Sequence, residues 1–294
     1  MTGVGIEDYL QYLEEKKNIS PSTRQGYRKD LEQLALWADQ KGIRTIQELD
    51  QNILQTYVRD LEMEGRAPRT IRRKLTTVRG YLTFLQEKGV LFKNYARDLD
   101  LPEEEEENVR VLSLEEISAV LAAPDTSDWM GIRDKALLEL LYGSGLKVSQ
   151  IISLRVKNVD LQVSCVIIEG KNKEERMIPF GERARKSLLR YLSVMRKRFS
   201  GPDQILFINR EGGAISRQSV WKIVRQYAKA AGVRGSVSPE LLRTSLAVHL
   251  LEYGADLESV KDILGHSTTS ATRRYDPDKN RKKVRNPNEF FKKR

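Results

Sequence analysis

Four residues in the second half of the chain carry side chains that can act on a phosphate ester: Lys171, Arg243, His266 and Tyr275. Metal-free cleavage of a DNA phosphodiester needs a nucleophile and cations around the non-bridging oxygens. It also needs a base for the nucleophile's proton and an acid for the departing 5′ oxygen. A tyrosine hydroxyl can be the nucleophile, and lysine, arginine and histidine can supply positive charge and protons. The set therefore favours phosphoryl transfer as the candidate chemistry.

Each of these residues also has an ordinary structural explanation. Tyr275 fits a packed tyrosine with a hydrogen-bonded hydroxyl, and Arg243 fits a salt bridge to Glu240 on the same helix face. Lys171 fits an exposed hairpin tip, and His266 fits a histidine that caps a helix C-terminus. Only the order and spacing of the four together favour the catalytic interpretation.

Helix signals surround the arginine and the histidine. A helix is predicted over Pro239–Tyr253, with Ser238 as its N-cap, and it carries Arg243. The next predicted helix, Asp256–Leu264, ends at Gly265, directly before the histidine. These two helices are the elements that must position both side chains.

The rest of the second half predicts a mixed α/β domain. SLEE at Ser113–Glu116 is a capping box that opens a short helix ended by Pro124, and GIRDKALLELLYGSGL predicts an apolar helix with a Gly-rich end. VSCVIIEGKNKEERMIPF predicts two strands around a basic turn, QILFIN predicts another strand, and a helix follows over Ser216–Ala231. The basic turn adds candidate DNA contacts beside Lys171: Lys173 and Arg176.

The first hundred residues predict an all-helical domain. Amphipathic helices cover Ile6–Lys17, a segment from Ser20 to Gly42, a third over Thr45–Gly65 and a fourth that begins at Pro68. One face of the fourth is apolar, and the other carries arginines with no acidic residue among them. This favours a phosphate-facing surface over a merely solvated one, formed by Arg69, Arg72, Arg73 and Arg79.

Composition and charge limit the function classes. The net charge of +10 and the isoelectric point near 9.5 indicate a polyanionic partner, with nucleic acid ahead of an acidic membrane. Cys165 is the only cysteine, so no internal disulfide forms, and a reducing compartment is expected. The histidines and the cysteine lack the spacing of a structural zinc site. With no apolar run of about 18 residues, we expect a cytoplasmic protein without a membrane partner.

A run of five glutamates after Pro102, Glu103 to Glu107, predicts an extended linker between two domains. The predicted divisions are a helical domain over residues 1–101, an acidic linker over 102–108, a catalytic domain over 109–276 and a basic tail over 277–294. The tail fits either an arm that touches nucleic acid or a solvated end.

Long segments of the chain resemble the tyrosine recombinase family, also called the phage integrase family, and most closely its Xer-like members. RDKALLELLYGSGLKVSQIISLRVKNVDL resembles the first catalytic box, and EGKNKEERMIPF resembles the hairpin that carries the catalytic lysine. SPELLRTSLAVHLLEYGADLESVKDILGHSTTSATRRY resembles the second box through to the nucleophile. PSTRQGYRKDLEQLALW and RAPRTIRRKLTTVRGYLTFLQEKG resemble the helical DNA-clamping domain.

This resemblance implies a fold, an activity and a role for each candidate. The fold would be an all-α core-binding (SAM-like) domain plus a mainly helical α/β catalytic domain with a small β-sheet. Tyr275 would attack a DNA phosphate to give a 3′-phosphotyrosyl link, and Lys171 would protonate the leaving 5′ oxygen. Arg243 and His266 would bind the phosphate. No cofactor or metal would be required, because the covalent intermediate keeps the bond energy.

Three positions depart from the family pattern. Lys147 replaces the arginine of the first box, Gln150 replaces the acidic residue three positions later, and Glu240 replaces the histidine of the second box. Two interpretations stay open. In one, the site is re-tuned, with Glu240 as the base for Tyr275 or paired with Lys147. In the other, the chain is a catalytically impaired homologue that acts as a DNA-binding or partner subunit.

The resemblance also implies partners. They are double-stranded DNA with a short inverted-repeat site, further copies of the chain that form a dimer and then a tetramer around a Holliday junction, and a second recombinase in some members. The expected location is the cytoplasm, in association with the nucleoid. A third interpretation, a basic two-domain DNA-binding regulator, explains the charge but not the ordered set of Lys171, Arg243, His266 and Tyr275.

Overall fold

The computed structural model describes residues 5–101, 110–169, 175–195, 204–265, 268–273 and 275. The chain divides into two units, Met1–Glu107 and Asn108–Arg294, and each has its own apolar core. The predicted acidic linker and basic tail lie outside the described residues. The domain limits that we predict from the sequence stay a prediction.

The first unit is a helical bundle whose first, second and fourth helices begin at the predicted signals, whereas the third begins at Gln51, with Asp50 as its N-cap, and not at Thr45. Ser20 caps the second helix by accepting a hydrogen bond from the backbone N–H of Thr23 at 3.1 Å, and Pro21 follows at the first helical position. Proline fits there because the first-turn N–H groups have no partner within the helix. The helices are α1 (Ile6–Lys17), α2 (Pro21–Gln40), α3 (Gln51–Met63) and α4 (Pro68–Glu87).

The predicted apolar face of α4 is buried throughout and packs on the other helices: Ile71, Leu75, Val78, Leu82 and Leu85. A buried carboxylate adds a polar contact between α2 and α4. Asp30 is 2% exposed and accepts hydrogen bonds from Lys74 at 3.0 Å, from Thr77 at 3.2 Å and from both terminal nitrogens of Arg73. The sequence pattern did not predict this cluster.

The second unit packs helices around a small antiparallel sheet. Ser113 and Glu116 form the predicted capping box at the start of α5, with bonds of 3.2 and 2.9 Å. The sheet has the order β1-β2-β3, and the β2–β3 pairing runs from Cys165↔Pro179 to Glu169↔Glu175. The strands are β1 (Val159–Asp160), β2 (Cys165–Glu169) and β3 (Glu175–Pro179). The helices are α5 (Leu114–Ala122), α6 (Trp129–Ser144), α7 (Val148–Ser153), α8 (Glu182–Met195), α9 (Arg217–Ala230), α10 (Pro239–Glu252), α11 (Leu257–Leu264) and α12 (Ser270–Arg273).

One predicted strand is wrong. QILFIN makes only isolated bridges, Arg155↔Ile205 and Ile208↔Ala214, instead of a ladder. Its apolar residues are buried in the core of the second unit, so the apolar run reflects burial rather than strand pairing. The helices α7 and α8 and the two-residue strand β1 were not predicted.

Helix α6 lies at the centre of the second unit, where it packs against α8 and α10. It is buried on most sides, as its continuous apolar sequence predicts. Its C-terminus and the N-terminus of α10 lie beside the cleft described below. Among the described residues, no helix is both long and apolar enough to cross a membrane.

Candidate active site

A cleft in the second unit brings together residues from both predicted catalytic boxes. Its volume is about 440 Å³. Three of its side chains are cationic and one is anionic: Lys147, Arg217, Arg243 and Glu240. Leu146, Val148, Ser149, Pro239 and Ala271 complete the lining. The cleft is therefore suited to an anionic group.

Arg243 is fixed in the wall of this cleft by two helix ends. It lies on α10, is 8% exposed, and donates hydrogen bonds to the carbonyl of Gly145 and, at 2.5 Å, to that of Leu264. These carbonyls lie at the C-termini of α6 and α11, where the helix dipole is negative and favours a cation. An ion pair with Glu240, the alternative sequence interpretation, does not account for these contacts.

Glycine is required where α6 ends. Gly145 has φ +60° and caps α6 in the left-handed conformation. A Cβ at this position would lie 2.9 Å from a methyl carbon of Leu246 and 3.0 Å from one of Leu264. The turn thus brings α10 and α11 close to the end of α6, where the Gly145 carbonyl accepts a hydrogen bond from Arg243.

The residues that depart from the family pattern have identifiable local surroundings. Lys147 is exposed at the N-cap position of α7, and its backbone N–H donates to the side-chain oxygen of Gln150 at 2.8 Å. Gln150 therefore caps α7, as a carboxylate could. Glu240 is exposed in the first turn of α10, where the helix dipole stabilises a negative charge.

Tyr275 lies in the core of the second unit. It is 5% exposed, and its backbone N–H donates to the carbonyl of the fully buried Thr272 at 2.9 Å. Ala271, four residues earlier, lines the cleft. Tyr275 is not among the described residues that line the cleft. The structure thus places the start of this segment at the cleft and its tyrosine in the interior.

Three predicted site residues, Lys171, Lys173 and His266, lie outside the described residues. The flanking positions are described. Strands β2 and β3 pair as far as Glu169↔Glu175, on either side of the segment that contains both lysines. Gly265 ends α11 with φ +64°, which confirms the predicted helix end directly before the histidine.

Two predicted DNA contacts are engaged inside the protein. Arg176 is half-buried and donates to the carbonyl of Ile263 at 2.8 Å, whereas the hairpin pattern predicts an exposed cation. Arg79 donates to the carbonyls of Ala96 at 2.6 Å and Leu99 at 3.1 Å, which fastens the segment after α4 to that helix. Backbone carbonyls distant in sequence provide these partners, so the local pattern could not predict them.

The other arginines of α4 differ in their surroundings. Arg69 is exposed, and Arg72 is half-buried. Arg73 pairs with the buried Asp30 while 51% of its side chain stays exposed. Arg69 and Arg73 are thus the exposed cations of the predicted phosphate-facing surface, which stays a prediction.

The sequence interpretation missed a basic face on α9. A shallow groove of about 750 Å³ is lined by Lys222 and by four residues spaced four apart along the helix: Arg217, Trp221, Arg225 and Lys229. The Arg225 guanidinium lies 5.7 Å from the centre of the Trp221 ring. No acidic residue occurs in this helix. The spacing and the single sign of charge were the available signal. The face adjoins the cleft through Arg217, which lines both.

The second unit matches the phage integrase family over residues 110–281, and the first matches the phage integrase N-terminal SAM-like domain over residues 6–89. The chain belongs to the phage integrase family. Curated relatives in this family include the tyrosine recombinase XerD of Staphylococcus epidermidis, 34% identical, and that of Listeria innocua, 32% identical; each alignment covers 92% of both chains. This phage integrase family member is a Xer-like tyrosine recombinase, an enzyme of site-specific DNA recombination.

Solved structures of the family show the same fold. The Tn1549 transposon integrase in complex with transposon right end DNA superposes with a TM-score of 0.77 at 17% identity, over 95% of this chain and 96% of that one. The XerH site-specific recombinase bound to a palindromic difH substrate superposes with a TM-score of 0.73 at 19% identity, over 93% and 80%. The expected fold, a SAM-like helical domain plus a catalytic domain with a small sheet, is confirmed.

Proposed function

We propose that the cleft binds the scissile phosphate and that Tyr275 is the nucleophile that cuts the strand. The observation that carries this proposal is the convergence of Lys147, Arg217 and Arg243 on one cleft, beside the segment that ends at Tyr275. Positive donors fixed before the reaction stabilise the charge that develops on the phosphate oxygens. Arg243 is best placed for this role, because the carbonyls of Gly145 and Leu264 already orient it.

The proposed reaction conserves the number of phosphoester bonds. The Tyr275 oxygen attacks phosphorus, a 3′-phosphotyrosyl bond forms, and the bond to the 5′ oxygen breaks. Lys171 gives a proton to the departing oxygen, and a base accepts the phenol proton. Glu240 is our candidate for that base because it is the one carboxylate among the described lining of the cleft. Attack by a 5′ hydroxyl of another strand reverses these steps and exchanges the strands.

The buried position of Tyr275 requires a rearrangement before cleavage. Helix α12 has four residues, and a helix this short has little stability of its own. Near it, the Thr269 hydroxyl donates to the Glu258 carboxylate at 3.3 Å, a long and exposed bond. Displacing α12 and the residues after it would free the tyrosine while leaving Arg243 and Lys147 in place.

The proposed substrate is double-stranded DNA with a short inverted-repeat site. The basic face of α9 supports this, because a helix with several cations and no acid fits the electrostatics of a duplex groove. Support also comes from a lambda integrase dimer bound to a COC′ core site, which shares the fold with a TM-score of 0.70 at 15% identity. We propose that two copies bind one site and that four form the complex that resolves a Holliday junction.

A nicked DNA duplex that traps the covalent intermediate tests the nucleophile. The wild-type protein should form a protein–DNA band that survives denaturation, and Tyr275→Phe should lose it while retaining DNA affinity. Tyr253→Phe is the matched control, since Tyr253 is 51% exposed on the surface, and it should keep the band. Binding without a covalent band in the wild-type protein would support the catalytically impaired partner subunit instead.

A further inference from the structure

Arg176 connects two elements that the proposed chemistry needs. It lies on β3, and its Nη2 donates to the carbonyl of Ile263, near the end of α11, at 2.8 Å. Its Nε is buried and, among the described residues, has no hydrogen-bond partner. Burial lowers the pKa of Arg176, and the nearby Asp262 carboxylate opposes this effect. The guanidinium stays charged, because arginine keeps its proton in proteins.

Gly265 leaves space for this guanidinium. A Cβ at Gly265 would lie 1.7 Å from Nη1 of Arg176, closer than any non-bonded contact allows. Its φ of +64° already favours glycine at this helix end. Both the backbone conformation and the arginine packed against this position therefore require a glycine here.

Two arginines hold consecutive carbonyls at the C-terminus of α11. Arg176 donates to the carbonyl of Ile263, and Arg243 donates to that of Leu264. Helix C-termini have unsatisfied carbonyls and a negative partial charge, so cations stabilise them. The end of α11 is thus fastened from β3 and from α10 at once.

We propose that Arg176 is a positioning residue for strand cleavage. It joins β3, the strand directly after the sequence segment that contains Lys171, to the helix end directly before His266. The inference rests on the proposed function, because Arg176 acts through these two residues and not on the phosphate itself. A surface phosphate contact accounts neither for the bond to Ile263 nor for the space above Gly265.

The test compares Arg176→Gln and Arg176→Lys in the full chain, with a nicked duplex at saturating concentration. Arg176→Gln should form the covalent complex about 100-fold more slowly, the loss expected from a misplacement of about 1 Å. Arg176→Lys keeps one charged donor and should recover part of the rate. DNA affinity and its salt dependence should stay at wild-type values. Arg185→Gln removes the same charge from α8, where Arg185 pairs with Glu182, and should cleave normally.

Three results would overturn the proposal. Wild-type cleavage by Arg176→Gln would show that the connection is unimportant. A fall of about 0.9 in the slope of log affinity against log salt would make Arg176 a phosphate contact. A parallel loss of folding stability and DNA affinity would make its role only structural. If the wild-type protein forms no Tyr275-dependent covalent complex, the proposed function itself fails.

A double-mutant cycle tests the contact without any activity measurement. Gly265→Ala should lower the midpoint of thermal unfolding less in the Arg176→Gln background than in the wild-type background, because the shorter side chain leaves room for the methyl group. Additive effects of the two substitutions would show that Arg176 does not occupy the space above Gly265.

Discussion

Individual side chains determine the electrostatic properties of the cleft. Lys147 and Glu240 are exposed and line the same cleft, whereas Arg243 is buried in its wall. Gln150 does not line it and caps α7 through the backbone of Lys147. The departures from the family pattern therefore differ in kind. Lys147 keeps the positive charge but loses the two-donor fork, Glu240 adds a negative charge to the proposed phosphate site, and Gln150 keeps a helix cap.

Lys147→Arg should raise the rate of covalent complex formation. An arginine offers two parallel donors to a phosphate, whereas a lysine offers a point charge. We expect an increase of about tenfold, which corresponds to roughly 1.4 kcal/mol of added transition-state stabilisation. Rates with a nicked duplex measure it, and Lys186→Arg on α8, where Lys186 is 73% exposed, is the control. An unchanged rate would mean that the fork cannot reach the phosphate from this position.

Glu240→Gln should increase DNA affinity. It removes a negative charge from the cleft, and a charge about 5 Å from a phosphate in water is worth roughly 1 kcal/mol. Titration of a labelled duplex should show about a fivefold tighter complex at low salt and a smaller effect at high salt. Cleavage measured in parallel tests the proposed base. Loss of the covalent band despite tighter binding would support Glu240 as the proton acceptor, and a faster reaction would exclude it.

At the scale of elements, helix ends organise the site. The C-termini of α6 and α11 both present carbonyls to Arg243, and Arg176 holds the preceding carbonyl of α11. The glycines that end these two helices allow the chain to turn sharply with little space around it. The geometry of the cations is therefore set by backbone positions.

Gly145→Ala should destabilise the second unit more than Gly232→Ala does. Both glycines have positive φ, +60° and +73°, so each alanine costs roughly 1 to 2 kcal/mol of backbone strain. A Cβ at Gly232 meets nothing within 4 Å, whereas one at Gly145 meets Leu246 and Leu264 at 2.9 and 3.0 Å. We expect an additional loss of about 1 kcal/mol in the free energy of unfolding at Gly145. Denaturant titration of both variants measures it, and equal losses would show that the leucines adjust freely.

Across the whole molecule, charge is distributed over several segments. The tail after Pro277 contains eight of the basic residues: Lys279, Arg281, Lys282, Lys283, Arg285, Lys292, Lys293 and Arg294. The face of α9 and Arg69 on α4 are further basic surfaces. DNA affinity should therefore depend on both units and on the tail.

Removing residues 277–294 should flatten the salt dependence of DNA binding. Each phosphate contact that is lost lowers the slope of log affinity against log salt by about 0.9. Affinities measured over a series of salt concentrations, for the full chain and the truncated one, give this slope. Arg69→Ala provides a scale for the loss of one contact. An unaltered slope would instead assign the tail to contacts between protein subunits.

Periodicity and caps predicted most of the helical architecture, because those signals are local. Helix α8 was missed since no capping side chain marks its start, and Gly181 supplies only a backbone carbonyl to Arg185. The strand assigned to QILFIN was wrong, because its burial depends on surrounding helices. In the site, the sequence predicted Arg243 and Gly265 correctly as parts of adjacent helices. It could not predict the carbonyl partners of Arg79 and Arg176, since these depend on contacts between distant segments. It left open whether Tyr275 is packed in the interior or placed to react.

The interior position of Tyr275 has a protective consequence. A DNA-binding protein with this much positive charge meets many duplexes that are not its target, and basic surfaces such as the face of α9 are expected to bind them without regard to sequence. If Tyr275 is the nucleophile, as proposed, its burial among apolar side chains keeps the reactive oxygen away from the DNA backbone in such encounters. In the proposed mechanism, DNA binding and DNA cleavage are thus separate events, and accidental nicks are avoided until α12 is displaced.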